Sequence, residues 1–514
     1  LILLVLILIA PVRVEPIKDW LPVEALLIVV GINISGRVGS VIQYGVSSLL
    51  TLGILLKIAD FLTYQVFSRA FNPVLDKHFA PDGWNLLVGN LGWLPALVVV
   101  ILVFCLPVIV YLGLQRLLSS LRIGTGFSPS SLYSATGLVG LLVWLVFSTV
   151  PMRHSPFYYF MLYHAQQIVI SAQETEEFTE QLAHDPYAGQ ASETLLDKLR
   201  GKDVLLIFVE SYGRTMFDTP EYASVIKPIL EQGQAQMRQQ QIYSQSGYLQ
   251  SPTYGGVSWL AHSTLLSGLW INNQSRYDRL VQSDRLSLNQ LFKRAGWRTI
   301  GVQPAHTMDW PQGQYFGYDH VYSAKDLAYQ GLPFNWITMP DQYTLAKVYE
   351  KELSQRPRVP VMAEMALISS HAPWSPLPDL IDWQQVGDGR IFIQARHGDS
   401  AETVWQDLHK IREQYAKSIA YTLQTLISYV LQNTDEQTVL VILGDHQPAS
   451  FVTDQSSSYA VPIHIISRDP AVMEAISTWH WQPGMLPDDR TMALPMDQWR
   501  DLLLTTFSSR LIGH

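Results

Sequence analysis

A change in side-chain chemistry near residue 151 constrains this chain more than any other feature. Residues 1 to about 151 are almost continuously apolar, whereas residues 173 onward mix charged, aromatic and aliphatic positions as a water-soluble domain does. One core cannot serve both halves, and 514 residues already exceed an ordinary single core. The apolar stretches 1–11, 21–35, 40–63, 91–114 and 132–150 are span candidates, because a helix needs roughly 20 apolar residues to cross the hydrocarbon. The first two are short, and the chain opens on Leu1 rather than Met, so the start is open and the expected anchor has four to five spans. A cleaved signal peptide fits less well, since further spans follow and no small-residue cleavage site closes the first stretch.

Arg116 and Arg122 follow the fourth stretch with no acidic residue nearby, which marks that loop as cytoplasmic. The fifth stretch then delivers the soluble half to the outer, periplasmic face of the cytoplasmic membrane. The earlier loop, with Arg13 and Lys18 offset by Glu15 and Asp19, gives no orientation. Within the third stretch Lys57 and Asp60 share a helical face, and a mutually neutralising pair near the interface explains them better than headgroup binding. A net charge of −9 argues against nucleic acid as a partner. The only cysteine, Cys105, lies in the fourth stretch, so the soluble half has neither disulfide nor thiol.

Past the apolar half, Phe157, Tyr158, Tyr159, Phe160 and Tyr163 place rings where the headgroup region favours them, which predicts an interfacial helix. A polar segment with Pro and Gly follows as a linker. The expected division is therefore a transmembrane anchor over 1–151, an interfacial helix and linker over 152–199, and an exported domain over 200–514. In that domain strands are expected at 204–209, 297–303, 360–369, 438–443 and 461–467. Helices are expected at 221–239, 254–267, 285–295, 341–353, 403–432 and 497–508. The alternation predicts an α/β domain whose central sheet is mostly parallel and covered by helices. Ligands of such sheets gather at the carboxyl ends of the strands.

Two acidic segments stand at those ends. Glu210 follows the run LLIFV, and Asp445 with His446 follows VLVILG, where Gly444 permits a tight turn. Carboxylate oxygens and an imidazole suit one divalent cation, zinc or manganese. Separately, each acid can serve as a cap or a surface group. The segment SPTYGGVSWLAHSTLLSG shows helical spacing with Ser251 and Thr253 at its entry, where the helix dipole favours an anion or an alkoxide. Thr253 is the expected nucleophile and a fourth metal ligand, Ser251 or Thr253 can instead simply cap the helix, and Ser251 and the deeper-lying Ser258 are alternative nucleophiles. His371 ends an apolar run and can protonate a leaving group or hold a phosphate oxygen. His306, Asp309 and Trp310 also follow a strand and can line a substrate cleft.

Glu210, Thr253, Asp445 and His446 together resemble the alkaline phosphatase and sulfatase superfamily over about residues 200–508. The likeness is to the membrane-anchored branch of lipoteichoic acid synthase and related phosphoglycerol and phosphoethanolamine transferases. The resemblance implies one metal held by those four residues, attack by Thr253, and contact of His371, within Ser370-His371-Ala372-Pro373, with substrate phosphate. Trp310 matches an aromatic residue of that pocket, while the arginine that usually follows has no counterpart beside Pro311 and Gln312. The C/S-x-P-x-R element of sulfatases is missing, which argues against sulfate ester hydrolysis. The expected activity is transfer of a phospholipid headgroup phosphate through phospho-threonine to an envelope glycan or lipid acceptor. A phosphodiesterase or phosphatase of the same superfamily and a non-catalytic tethered binding protein are the alternatives.

Overall fold

A computed structural model describes residues 3–4, 23–34, 36–67, 70–76, 79–122, 156–307, 310–334, 337–453, 458–488 and 490–509. The chain divides into two compact units, Leu1–Gln65 with Arg69–Glu176 and Val66–Ser68 with Glu177–His514.

The first unit contains the helices α1 (Val23–Ile32), α2 (Arg37–Phe67), α3 (Phe79–Leu91) and α4 (Trp93–Ser120). Among the described residues two helices, over Arg37–Gln65 and Trp93–Ser120, are long and apolar enough to cross a membrane, against the four to five expected. With 10 residues, α1 rises only about 15 Å, too short for a bilayer. Nearly all of the expected stretch 1–11 and all of 132–150 lie outside the described residues. Along α4 a flank of Leu102, Val103, Phe104, Val108 and Ile109 is exposed, with Phe104 at 75 %, a surface matched to hydrocarbon. In α2, Asp60 is buried, accepting the Phe71 N–H at 2.8 Å and lying 3.1 Å from His164 Nε2. Its partner is thus an imidazole of the helix α5 (Pro156–Ala183), not the Lys57 expected from the sequence.

In the second unit nine strands form one sheet: β1 (Asp203–Val209), β2 (Tyr243–Gln250), β3 (Arg298–Gln303), β4 (His320–Ser323), β5 (Val361–Leu367), β6 (Thr438–Gly444), β7 (Ala460–Ser467), β8 (Gln482–Pro483) and β9 (Leu494–Pro495). The order is β4-β3-β5-β1-β6-β7-β2-β8, with β9 paired to β2. The sheet is mixed rather than mostly parallel. From β4 to β6 every pairing is parallel, but β7 runs antiparallel to β6, and β2 antiparallel to β7. The reversed strand is the apolar β7; beyond it β2, which runs in the sense of β6, has the sequence YSQSGYLQ without the apolar run of a buried strand. Its buried Ser246 is instead satisfied by the Gly484 carbonyl at 2.6 Å and His464 Nδ1 at 2.7 Å.

β1, β6 and β7 are buried along their whole length, as central strands covered on both faces must be. One face packs against α6 (Pro220–Gln239), α9 (Asp341–Val348) and α10 (Leu408–Asn433). The other packs against α7 (Ser258–Ser267), α8 (Leu288–Arg294) and α11 (Gln498–Phe507).

Candidate metal centre and nucleophile

The parallel register pairs Val209 with Gly444, so β1 and β6 end side by side and release Glu210 and Asp445 at one edge of the sheet. The two exits touch through the main chain. A Cβ on Gly444 would stand 1.9 Å from the Tyr212 carbonyl oxygen, so only glycine fits there. Ser211, between the exits, holds a left-handed φ of 59° and donates its N–H to Asp445 Oδ1 at 2.8 Å. The same oxygen accepts the His446 N–H at 2.7 Å, which leaves Oδ2 to face the site. His446 donates Nδ1–H to the Gln447 carbonyl at 2.7 Å, so Nε2 points to the carboxylates. It lies 3.2 Å from Glu210 Oε1 and 3.6 Å from Asp445 Oδ2.

The ligand atoms of Glu210, Asp445 and His446 all fall within 4.8 Å of one another. Two carboxylates this close need a compensating charge. Burial opposes ionisation of Glu210, but the His446 charge and hydrogen bond, with help from His371, hold its carboxyl well below the usual range. Burial, then the Glu210 charge, pushes Asp445 up to about 6. Burial works against the His446 imidazolium, yet Asp445 and Glu210 raise it to about 9. The proton on His446 therefore does what a bound cation would do. Two carboxylates, an imidazole turned inward and a side-chain exposure of 12 % at Glu210 fit a divalent ion of the zinc or manganese type.

Of the three hydroxyls left open by the sequence, the structure brings Ser258 to this cluster. Ser258 is the first residue of α7 and donates Oγ–H to Glu210 Oε2 at 2.9 Å, with His446 Nε2 at 3.1 Å. The helix begins there and not at 254, because Gly255 and Gly256 have φ of 73° and 151° and Val257 one of 59°. Thr253, expected as nucleophile and ligand, is buried, and its Oγ1 has no hydrogen-bond partner among the described residues. Ser251 is structural, donating Oγ–H to the Asp445 carbonyl at 2.6 Å.

His371 is exposed on the loop after β5 and adds positive charge near Glu210. Ser370 beside it donates to the Glu210 carbonyl at 2.6 Å, tying that loop to the exit of β1. His306 and Trp310 meet edge to face at 4.9 Å, and His306 Nδ1 is buried without a partner among the described residues. Asp309 lies outside the described residues. The sequence reading passed over His262 and Glu364. His262, four residues past Ser258, stacks on Phe208 and places Nδ1 3.3 Å from Glu364 Oε1. The signal was present: Glu364 is a lone charge inside the apolar strand VMAEMAL.

A family model described as Sulfatase matches residues 202–473. No curated protein matches the chain. Among solved structures, the lipoteichoic acid synthase LtaP from Listeria monocytogenes is similar at 15 % identity and a TM-score of 0.34, over 52 % of this chain and 65 % of that one. The phosphoglycerol transferase GacH from Streptococcus pyogenes, in complex with sn-glycerol-1-phosphate, is similar at 13 % identity and a TM-score of 0.38, over 66 % of this chain and 91 % of that one. The C-terminal periplasmic domain of EcEptC from Escherichia coli is similar at 13 % identity and a TM-score of 0.40, over 61 % of this chain and 84 % of that one.

Proposed function

The chain belongs to the sulfatase family, and from that premise we propose that it is a membrane-anchored, metal-dependent phosphotransferase. It moves a phospholipid headgroup phosphate, phosphoglycerol or phosphoethanolamine, to an envelope glycan or lipid. The observation that carries the reading is the meeting of Glu210, Asp445 and His446 with the Ser258 hydroxyl at the start of a helix. Ser258 takes the attacking role that the sequence suggested for Thr253.

In this reading Glu210, Asp445 and His446 hold one divalent cation. When bound, the cation lowers the pKa of the serine hydroxyl and offsets charge on the transferring phosphoryl group. Ser258 Oγ attacks phosphorus while Glu210 accepts its hydrogen bond, and the N-terminus of α7 faces the developing negative charge. His371, exposed beside the cluster, protonates the leaving diacylglycerol oxygen. His306 and Trp310 form a wall for the headgroup. Family membership does not extend to sulfate ester cleavage here, since the chain's one cysteine is Cys105 and the C/S-x-P-x-R element is absent. The two long apolar helices support an anchor that keeps the site beside a lipid donor.

The test is incubation of the full chain in mixed micelles with labelled phosphatidylglycerol and phosphatidylethanolamine, with manganese or zinc. An intact-mass adduct on Ser258, lost in Ser258→Ala and kept in Thr253→Ala, is expected, followed by label on an added envelope glycan or lipid fraction. Free headgroup phosphate with no labelled acceptor would replace the transferase with a hydrolase.

A further inference from the structure

Glu364 is 1 % exposed in the middle of β5, level with Leu206 of β1. A carboxylate there is costly unless it is fully bonded. Its hydrogen bonds come from the Tyr318 hydroxyl and from Asn289 Nδ2 at 3.4 Å, and His262 Nδ1 lies 3.3 Å from its other oxygen. His262 shares a face of α7 with Ser258, one turn on. Its ring is fixed on its flat side by Phe208, with centroids 3.8 Å and planes 15° apart. Phe208 lies on β1, two residues before Glu210. Nδ1 is the ring nitrogen turned to Glu364, and Nε2 lies on the opposite edge of the ring. The residue keeps 8 % of its surface exposed and lies within electrostatic reach of both Asp445 and His306, so it neighbours the cluster and the His306–Trp310 wall alike.

A carboxylate holding Nδ1 of an imidazole whose Nε2 is left open is the arrangement that lets histidine carry a proton during acyl or phosphoryl transfer. We propose that Glu364 and His262 form a proton-accepting pair for the second half of the transfer, in which His262 Nε2 removes the proton of the alcohol or water that attacks the Ser258 adduct. The inference rests on Ser258 being the nucleophile. As the acceptor oxygen bonds to phosphorus, the Ser258 Oγ–P bond breaks and its electron pair stays on Oγ. The acceptor's proton passes to Nε2 and then to Oγ, so both serine and imidazole are restored. Glu364 is a positioning residue: it keeps Nδ1–H on its own side and stabilises the imidazolium while the proton is held.

Bis(p-nitrophenyl) phosphate separates the two halves, because nitrophenolate departs without protonation. With the full chain in detergent and manganese or zinc present, His262→Gln and Glu364→Gln are each expected to release a burst of nitrophenolate approaching the enzyme concentration. Turnover then slows by about a hundredfold, and an adduct on Ser258 accumulates above the wild-type level in the intact mass. The double variant is expected to be no slower than His262→Gln, as for two residues acting as one unit. Unchanged turnover, or burst and steady rate falling together, overturns the proposal. Glu364→Gln still accepts the Tyr318 bond and carries the test if His262→Gln does not fold. Wild-type turnover in Ser258→Ala would instead remove the nucleophile reading, a result the pair variants cannot mimic.

Discussion

Of the three side chains at the candidate centre, Asp445 and His446 each have one atom committed to the backbone and one turned to the site, while the Glu210 carboxylate meets side chains. Asp445 spends Oδ1 on two main-chain N–H groups, and His446 spends Nδ1 on a carbonyl. Glu210→Gln is therefore expected to keep the fold while losing most of the bound metal, measured by elemental analysis after dialysis against trace zinc or manganese. Ser258→Ala is expected to lower kcat by about 10³-fold or more with metal content retained, whereas Thr253→Ala stays within about threefold. Kinetics of both variants side by side decide which hydroxyl attacks. Glu210, Asp445 and His446 were readable from sequence because each terminates an apolar run, and strand ends collect ligands. Ser258 stood only as an alternative, because helical spacing carried back to 254 hides the helix onset. The Gly255-Gly256 pair was the available cue, since two glycines resist a helical start.

Among the elements, the segments that carry chemistry are held by buried polar bonds rather than by apolar contact alone. At the start of α9, Asp341 accepts the Ile368 and Ser369 N–H groups at 2.9 Å each and the Thr422 hydroxyl at 2.7 Å. That anchors the loop leading to His371. Asp341→Ala strands those donors in the interior and is expected to cost about 3 kcal/mol or more, read from the denaturant midpoint. His464 of β7 lies between Ser246 of β2 and Tyr212, fully buried, and burial lowers its imidazole from the ordinary value of 6.5 to about 3. The unfolded chain then binds a proton below about pH 6.5 that the folded chain refuses until about pH 3. This group's contribution is thus complete above pH 6.5 and is lost as pH falls toward 3. Thermal unfolding across that window should show a flatter acid limb in His464→Gln than in the wild type. The apolar strands β1, β5, β6 and β7 were evident in the sequence, but β2 was not. Its stability resides in partners such as His464, far away in sequence, which local pattern cannot reveal.

At the scale of the molecule, a cation bound by the folded chain and not by the unfolded one stabilises by mass action, about 2.7 kcal/mol at a hundredfold excess over Kd. Chelation is expected to lower the unfolding temperature by about 5 °C or more, restored by manganese or zinc and absent in Glu210→Gln. The abrupt change of side-chain chemistry near residue 151 is legible in composition, whereas the two compact units part near residue 176. Among the described residues two helices are long and apolar enough to cross a membrane, and the expected stretches 1–11 and 132–150 lie nearly or wholly outside those residues. The Ser370 and Ser251 hydroxyls grip the main-chain oxygens of Glu210 and Asp445, not their carboxylates. Silencing the chemistry by changing those carboxylates therefore leaves the clasps closed. Catalytically dead versions of this protein should be good vehicles for capturing an intact donor lipid in a crystal or a cryo-EM grid.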